Sequence, residues 1–163
     1  VKGKQVLYLF VALLLPTGIF LFLKIFGKNE FEVKPLYQDA AGPVQAGCYP
    51  VQVPYHLPDS IFSQVWNAKD SLVLVTFSEL KGESLTQLER VRKDFQQDAL
   101  AELPASRIGK DLGFLKKCIF LTPEPFDLVL VDKHGRLRGQ YLSSDREEVD
   151  RLITEIAIIL KKY

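Results

Sequence analysis

The sequence has few of the residues that build reactive sites. Among 163 residues there are two Cys, two His and no Met. Two Cys exclude a disulfide-dense miniprotein, and neither His has a second ligand at a metal-site offset. Charge of one sign is missing too: 21 Lys and Arg stand against 20 Asp and Glu, a net charge of +1. That balance argues against nucleic-acid binding, which needs a basic face. Internal repeats, low-complexity tracts and long charge blocks are absent, as are a Gly-rich phosphate loop, a Ser-centred elbow and a zinc-protease motif. Starting on Val1 rather than Met, the chain is expected to be trimmed or incomplete at its N-terminus.

What is present is an uneven distribution of apolar residues. From Val6 to Phe26 the chain reads VLYLFVALLLPTGIFLFLKIF, with Lys24 as its single charge. As a helix rising about 1.5 Å per residue, this run spans roughly 31 Å, the thickness of a hydrocarbon core. Val6, Leu15, Pro16 and Phe26 mark the expected membrane anchor within residues 1–27. Pro16 would break a helix in water, whereas membrane helices tolerate it by kinking. The run is too long for the apolar centre of a cleaved signal peptide, and no small-x-small site follows it directly. Lysines flank both ends, so charge orients it poorly; the short N-terminal stub makes an N-inside anchor the simpler topology.

Residues 28–60 contain Pro35, Pro43, Pro50, Pro54 and Pro58, which predicts an extended tether, with edge strands around Val51–Val53. Residues 61–163 suffice for one small core. Leu72–Phe77 is an apolar, β-branched run expected to be a strand buried on both faces. Ser84 is expected to cap a helix with Gln87 at the capping-box position and Leu88, Val91, Phe95 and Ala99 on its buried face. Ala101–Pro125 suggests a short helix near Lys110–Lys116 and a strand at Cys118–Leu121. Leu128–Val131 is a second buried strand, Asp132-Lys133-His134-Gly135 a hairpin turn, and Arg136–Leu142 the returning strand. Ser144 is expected to cap the last helix with Glu147. Val149, Leu152, Ile153, Ile156, Ile159 and Leu160 form that helix's buried stripe, and Lys161 and Lys162 suit its C-terminal dipole. Strand, helix, irregular middle, hairpin and helix is the order of a thioredoxin-like domain, an α/β fold with a mixed sheet flanked by helices.

Four stretches carry a resemblance. They are LVLVDKHGRLRGQYLSSDREEVDRLITEIAIILKKY at Leu128–Tyr163, Phe26-Gly27-Lys28-Asn29 after the anchor, Tyr55-His56-Leu57-Pro58-Asp59, and Leu88–Phe95. Together they cover about half the chain and resemble the SCO/SenC family of membrane-anchored copper-delivery proteins. In that family a Cys-x-x-x-Cys pair at the start of the first helix and a His ahead of the hairpin hold copper, thiolates suiting Cu(I). Here the matching stretch, Thr76–Glu83, contains no Cys, the His position falls near Glu124 or Pro125, and no Met offers a thioether instead. The region between the first helix and the hairpin is also shorter than the family's. The resemblance therefore implies a non-catalytic member without a metal or cofactor. As its setting it implies a bacterial inner membrane, with the domain in the periplasm, and a role as accessory subunit or assembly partner of a respiratory complex. A terminal cytochrome oxidase or an oxidase-containing supercomplex is the partner it suggests.

Two alternatives compete with that reading. Cys48 and Cys118 are the only thiols, and they are open to three interpretations: a disulfide, two packed thiols, or a redox or copper pair serving a copper chaperone or thiol oxidoreductase. The other alternative is an extracytoplasmic ligand-binding module. His56 is expected to hydrogen-bond or face solvent, and His134 to sit at a hairpin tip. Asp127, Asp132, Glu124 and Glu83 form a conceivable acid–base set, although carboxylates at strand ends and helix starts more often serve as caps. Phe62, Val65, Trp66 and Ile158 either complete the core or form a docking surface.

Overall fold

A computed structural model describes residues 2–26, 32–40, 42, 47–67, 71–95 and 99–161. The chain divides into two compact units, Val1–Phe31 and Glu32–Tyr163.

In the first unit, helix α1 (Lys2–Phe26) runs unbroken through Pro16. Its stretch Gly3–Lys24 has a mean hydropathy of 2.5 and none of its 18-residue apolar window is buried. Length and composition therefore admit a membrane anchor, and equally a signal sequence, since both require such a run. Leu15 is exposed, and Thr17 Oγ1 donates to the Leu13 carbonyl at 3.0 Å, hiding its hydroxyl on the helix's own backbone. Val6 and Phe26 belong to the helix; their side chains lie outside the described residues.

The second unit is an α/β domain. After α2 (Asp59–Val65), the sheet opens with β1 (Leu72–Thr76), crosses through α3 (Glu83–Asp94) and returns in β2 (Leu100–Pro104). A 3₁₀ turn (Ala105–Ile108), the short α4 (Leu112–Phe114) and a π turn (Leu115–Ile119) lead to β3 (Leu128–Asp132), β4 (Leu137–Tyr141) and α5 (Arg146–Leu160). The strand order is β2-β1-β3-β4, with β1 parallel to β2 and antiparallel to β3. The sheet is therefore mixed.

Period-two alternation, with a core on each face, explains why β1 and β3 are apolar at their first four positions. Val73, Val75, Val129 and Val131 join one core with Ile61, Val65, Leu115 and Phe120. Leu72, Leu74, Leu128 and Leu130 join another with Leu88 and Val91 of α3 and Val149, Leu152, Ile156 and Ile159 of α5. A register shift between Leu130 and Val131 makes Arg138 the extra residue of a bulge. Leu137 consequently faces the first core while Gly139 and Tyr141 face the second. Tyr141 folds across Gly139 so closely that a Cβ there would stand 2.0 Å from its hydroxyl oxygen. The turn after β3 needs a left-handed residue, which Gly135 supplies at φ +71°.

Several expectations are corrected. From Glu32 onward the supposed tether belongs to the folded domain. Leu36 N–H donates to Leu137 O at 2.7 Å, Leu57 N–H to Gly135 O at 2.8 Å, and Tyr55 and Leu57 are buried in the first core. Val51–Val53 is irregular rather than strand. Within Ala101–Pro125 the strand is β2, and Cys118–Leu121 belongs to the π turn and the loop after it. Leu-Ala-Glu-Leu-Pro carries no β-branched residue, so pairing with β1 makes that strand, not propensity. The N-cap of α3 is Gly82, two residues before Ser84, and it makes no side-chain cap bond; Ala99 lies past the helix end. Helix α5 is capped by Asp145, which accepts from the N–H groups of Glu147 and Glu148, not by Ser144. Phe62 and Trp66 stack at 5.8 Å against the first core, and Ile158 is half-buried. Lys162 lies outside the described residues.

Candidate functional site

Two cavities of the second unit lie beside candidate residues of the sequence. The first lies where β1 and β2 end, the side of a parallel pair on which α/β sheets usually bind ligands. A cavity of about 330 Å³ is lined there by Phe77, Leu80, Pro104 and Leu112, with Ser78, Glu79 and Ser106 among its polar groups. Behind Ser78, Asp127 extends the start of β3, its backbone N–H donating to Tyr141 O and its carbonyl accepting from Phe77 N–H.

The Asp127 carboxylate is fully engaged. Ser78 and Ser143 hydroxyls donate to Oδ2 at 2.5 and 2.6 Å, and Ser143 N–H donates to Oδ1 at 2.7 Å. The Ser84 and Ser143 hydroxyls lie 2.9 Å apart. This chain joins the loop after β1, the first turn of α3, the start of β3 and Ser143 in the lead-in to α5. It offers hard oxygen donors already satisfied by hydrogen bonds, which do not fit a thiophilic Cu(I) ion. A serine activated for attack needs an adjacent base, and neither His lines this cavity.

The acid–base set does not assemble. Glu124 pairs with Lys116 at 2.8 Å on the surface, and Glu83 sits exposed in the first turn of α3. Asp127 and Asp132 flank opposite ends of β3. Asp132 is wholly buried and takes part in the hairpin: Oδ1 accepts from His134 and Arg136 N–H, and Oδ2 from Arg136 Nε and Arg138 Nη1. Arg138 reaches on to the Val33 carbonyl at 2.6 Å, so one buried ion cluster binds the hairpin to the start of the unit. Among the described residues, no group of three or more His, Cys, Asp or Glu is placed to hold a metal ion.

The second region contains the cysteines. Cys48 and Cys118 are joined in a disulfide with their Cα atoms 5.2 Å apart, closing a sequence separation of 70 residues. Beside it is a cavity of about 370 Å³ lined by Tyr49, Pro50, Tyr55, His56, Phe114, Cys118 and Ile119, among others. Tyr55 is its fixed floor. Its hydroxyl donates to the Ile119 carbonyl, and burial pushes its pKa up to about 12. Tyr37 is likewise raised by burial, opposed by a hydrogen bond with Gln140. His56 is exposed, with Nδ1 3.2 Å from the Pro54 carbonyl. His134 is exposed at the hairpin tip.

Sequence reasoning named both cysteines and Asp127 but did not foresee the Ser78–Asp127–Ser143–Ser84 chain or the cavity around Tyr55. Single serines scattered over 65 residues carry no periodic signal, and the prolines around Tyr55 read as a tether. No family model, curated protein or solved structure matches the chain.

Proposed function

We propose that this chain is a membrane-anchored, thioredoxin-like accessory subunit or assembly partner of a respiratory membrane complex, a terminal oxidase or oxidase-containing supercomplex. In this reading it is a SCO/SenC-like protein of the bacterial inner membrane whose domain faces the periplasm. The carrying observation is the loop after β1. Where the resembled family places its copper-binding cysteines, Ser78 is tied to Asp127 and no thiol is present. A βαβ unit followed by a ββα unit in the order β2-β1-β3-β4 supports the thioredoxin-like arrangement. A disulfide suits an oxidising compartment, and α1 is long and apolar enough to anchor the chain. With the reactive loop replaced by a hydrogen-bonded one, binding to other subunits is the activity left to the fold.

The test is a mild-detergent pull-down of the tagged full-length protein from native membranes, with mass spectrometry and haem absorbance. Stoichiometric oxidase or other respiratory subunits are the expected result. A lone protein carrying copper would overturn the reading in favour of a copper chaperone, and a lone metal-free protein would overturn it in favour of a ligand-binding module.

A further inference from the structure

The two walls of the cavity beside the disulfide are held very differently. One wall is Phe114, Cys118 and Ile119. Asp111 caps it through Phe114 N–H at 2.7 Å, Phe120 N–H closes the π turn on Leu115 O at 2.8 Å, and Leu115 is fully buried. The other wall is Tyr49, Pro50, Val51, Gln52 and Pro54. Its neck is pinned, because Tyr55 N–H donates to Tyr37 O at 3.0 Å and Gln38 Nε2 to Tyr55 O at 3.2 Å. Beyond the neck, the hydrogen bonds of the described residues 47–54 reach no further than His56. Apart from Val51, which packs against the first core, the disulfide is what fastens this wall to the domain.

We propose that the Cys48–Cys118 bridge is a redox clasp on this cavity: a dithiol reductant opens it by releasing residues 47–54, while the sheet stays folded. Both cysteines are only half-buried and Cys118 lines the cavity, so an incoming thiolate has a path to sulfur. The thiolate attacks one bridge sulfur, the S–S bond breaks, and the other cysteine leaves as a thiolate that takes a proton from water. The reductant's second thiol then attacks the mixed disulfide, forming its own S–S bond and freeing the second cysteine. Two electrons and two protons pass from the dithiol to the bridge. The pinned neck confines the change. Leu36, Tyr37, Tyr55 and Leu57 keep their hydrogen bonds to β4, Leu121, Ile119 and Gly135, none of which involves sulfur.

The test uses the full-length protein in mild detergent with dithiothreitol as the reductant and elastase as the probe, since it cuts after Val51 in the released wall. Reduction is expected without denaturant, with cleavage after Val51 rising at least tenfold and cleavage after Val73 and Val129, buried in the sheet, unchanged. The Cys48→Ser/Cys118→Ser protein should be cut at the reduced rate without dithiothreitol. A bridge that resists reduction until the protein is unfolded overturns the proposal. So does unchanged cleavage after Val51. Cleavage rising equally after Val73 and Val129 overturns it as well, because the bridge would then be a staple of the whole domain. None of these outcomes depends on whether a respiratory partner is found.

Discussion

Replacing Asp132 with Ala tests whether the buried ion cluster at the hairpin organises the domain. Asp132 is fully buried and Arg138 is 94% buried, and the carboxylate receives four hydrogen bonds from two side chains and two backbone groups. Removing one partner of a buried pair typically costs about 3–5 kcal/mol, because the remaining charge is stranded away from water. Two turn N–H groups lose their acceptor at the same time, adding about 1 kcal/mol where water cannot replace it. Arg138 Nε already lacks a partner, so the guanidinium has little reserve. The expected loss is about 4 kcal/mol, a large part of the 5–15 kcal/mol that usually separates folded from unfolded chains.

Trp66 is the single tryptophan and packs against the first core, so its fluorescence follows unfolding in urea. With a slope of about 2 kcal/mol per molar, the midpoint should fall by about 2 M. A second variant separates stranded charge from lost turn geometry. Combining Asp132→Ala with Arg138→Met removes the buried cation as well, and the pair should be at least about 1 kcal/mol less destabilised than the sum of the two single changes. A midpoint shift below about 0.5 M, or strict additivity, would refute the reasoning.

Gly139→Ala should destabilise the domain by about 1–3 kcal/mol, since the added methyl overlaps the Tyr141 ring; an unchanged thermal midpoint would show that the ring moves freely. Asp145→Ala should cost about 1 kcal/mol and Ser144→Ala almost nothing, as only Asp145 accepts from the first turn of α5; equal losses in urea unfolding would contradict that cap. Tyr55 should ionise with a midpoint of about 12, visible as a tyrosinate absorbance component missing from Tyr55→Phe. Because its folded pKa lies above the model-peptide value of about 10, the folded state binds more protons between these values. Its contribution is complete below pH of about 10 and is lost as pH rises towards about 12. Stability of the wild type that holds level across that window, relative to Tyr55→Phe, would refute this.

The elements legible in the sequence are those whose signals are redundant. Leu72–Val75 and Leu128–Val131 are apolar at every position, and only a strand with a core on each side uses all of those positions. Asp132-Lys133-His134-Gly135 combines a side-chain acceptor with a residue free to take positive φ, and both are used. Where two signals compete, the sequence is ambiguous. SDREE at Ser144–Glu148 contains two overlapping capping patterns, and the helix takes the one that begins at Asp145. Strand β2 was hidden because Leu100–Pro104 is weak by itself and forms on a neighbour far away in the chain. The folded strap was hidden for the opposite reason: its prolines advertise a free tether, but Tyr37, Tyr55 and Leu57 fasten its described residues to the domain.

The same logic bears on what the domain does. A reactive site keeps groups unsatisfied or poised, so that substrate or metal completes them, and this needs side chains whose lone pairs or protons are available. At the end of β1 both Asp127 oxygens are occupied, by Ser78, Ser143 and a backbone N–H, and the three serines Ser78, Ser84 and Ser143 sit on three separate segments that the chain of bonds draws together. That arrangement is a latch: it fixes the loop after β1 against α3 and the lead-in to α5 at the edge of an apolar cavity. A fixed loop beside exposed Leu112 and half-buried Leu80 suits a surface that receives another protein's side chain, because little order has to be gained on binding. Ser78→Ala and Asp127→Ala should therefore loosen the loop and weaken subunit association in the pull-down without changing metal content. Loss of association without loss of fold would assign the latch to docking; intact association with a loosened loop would move the docking surface elsewhere on the domain.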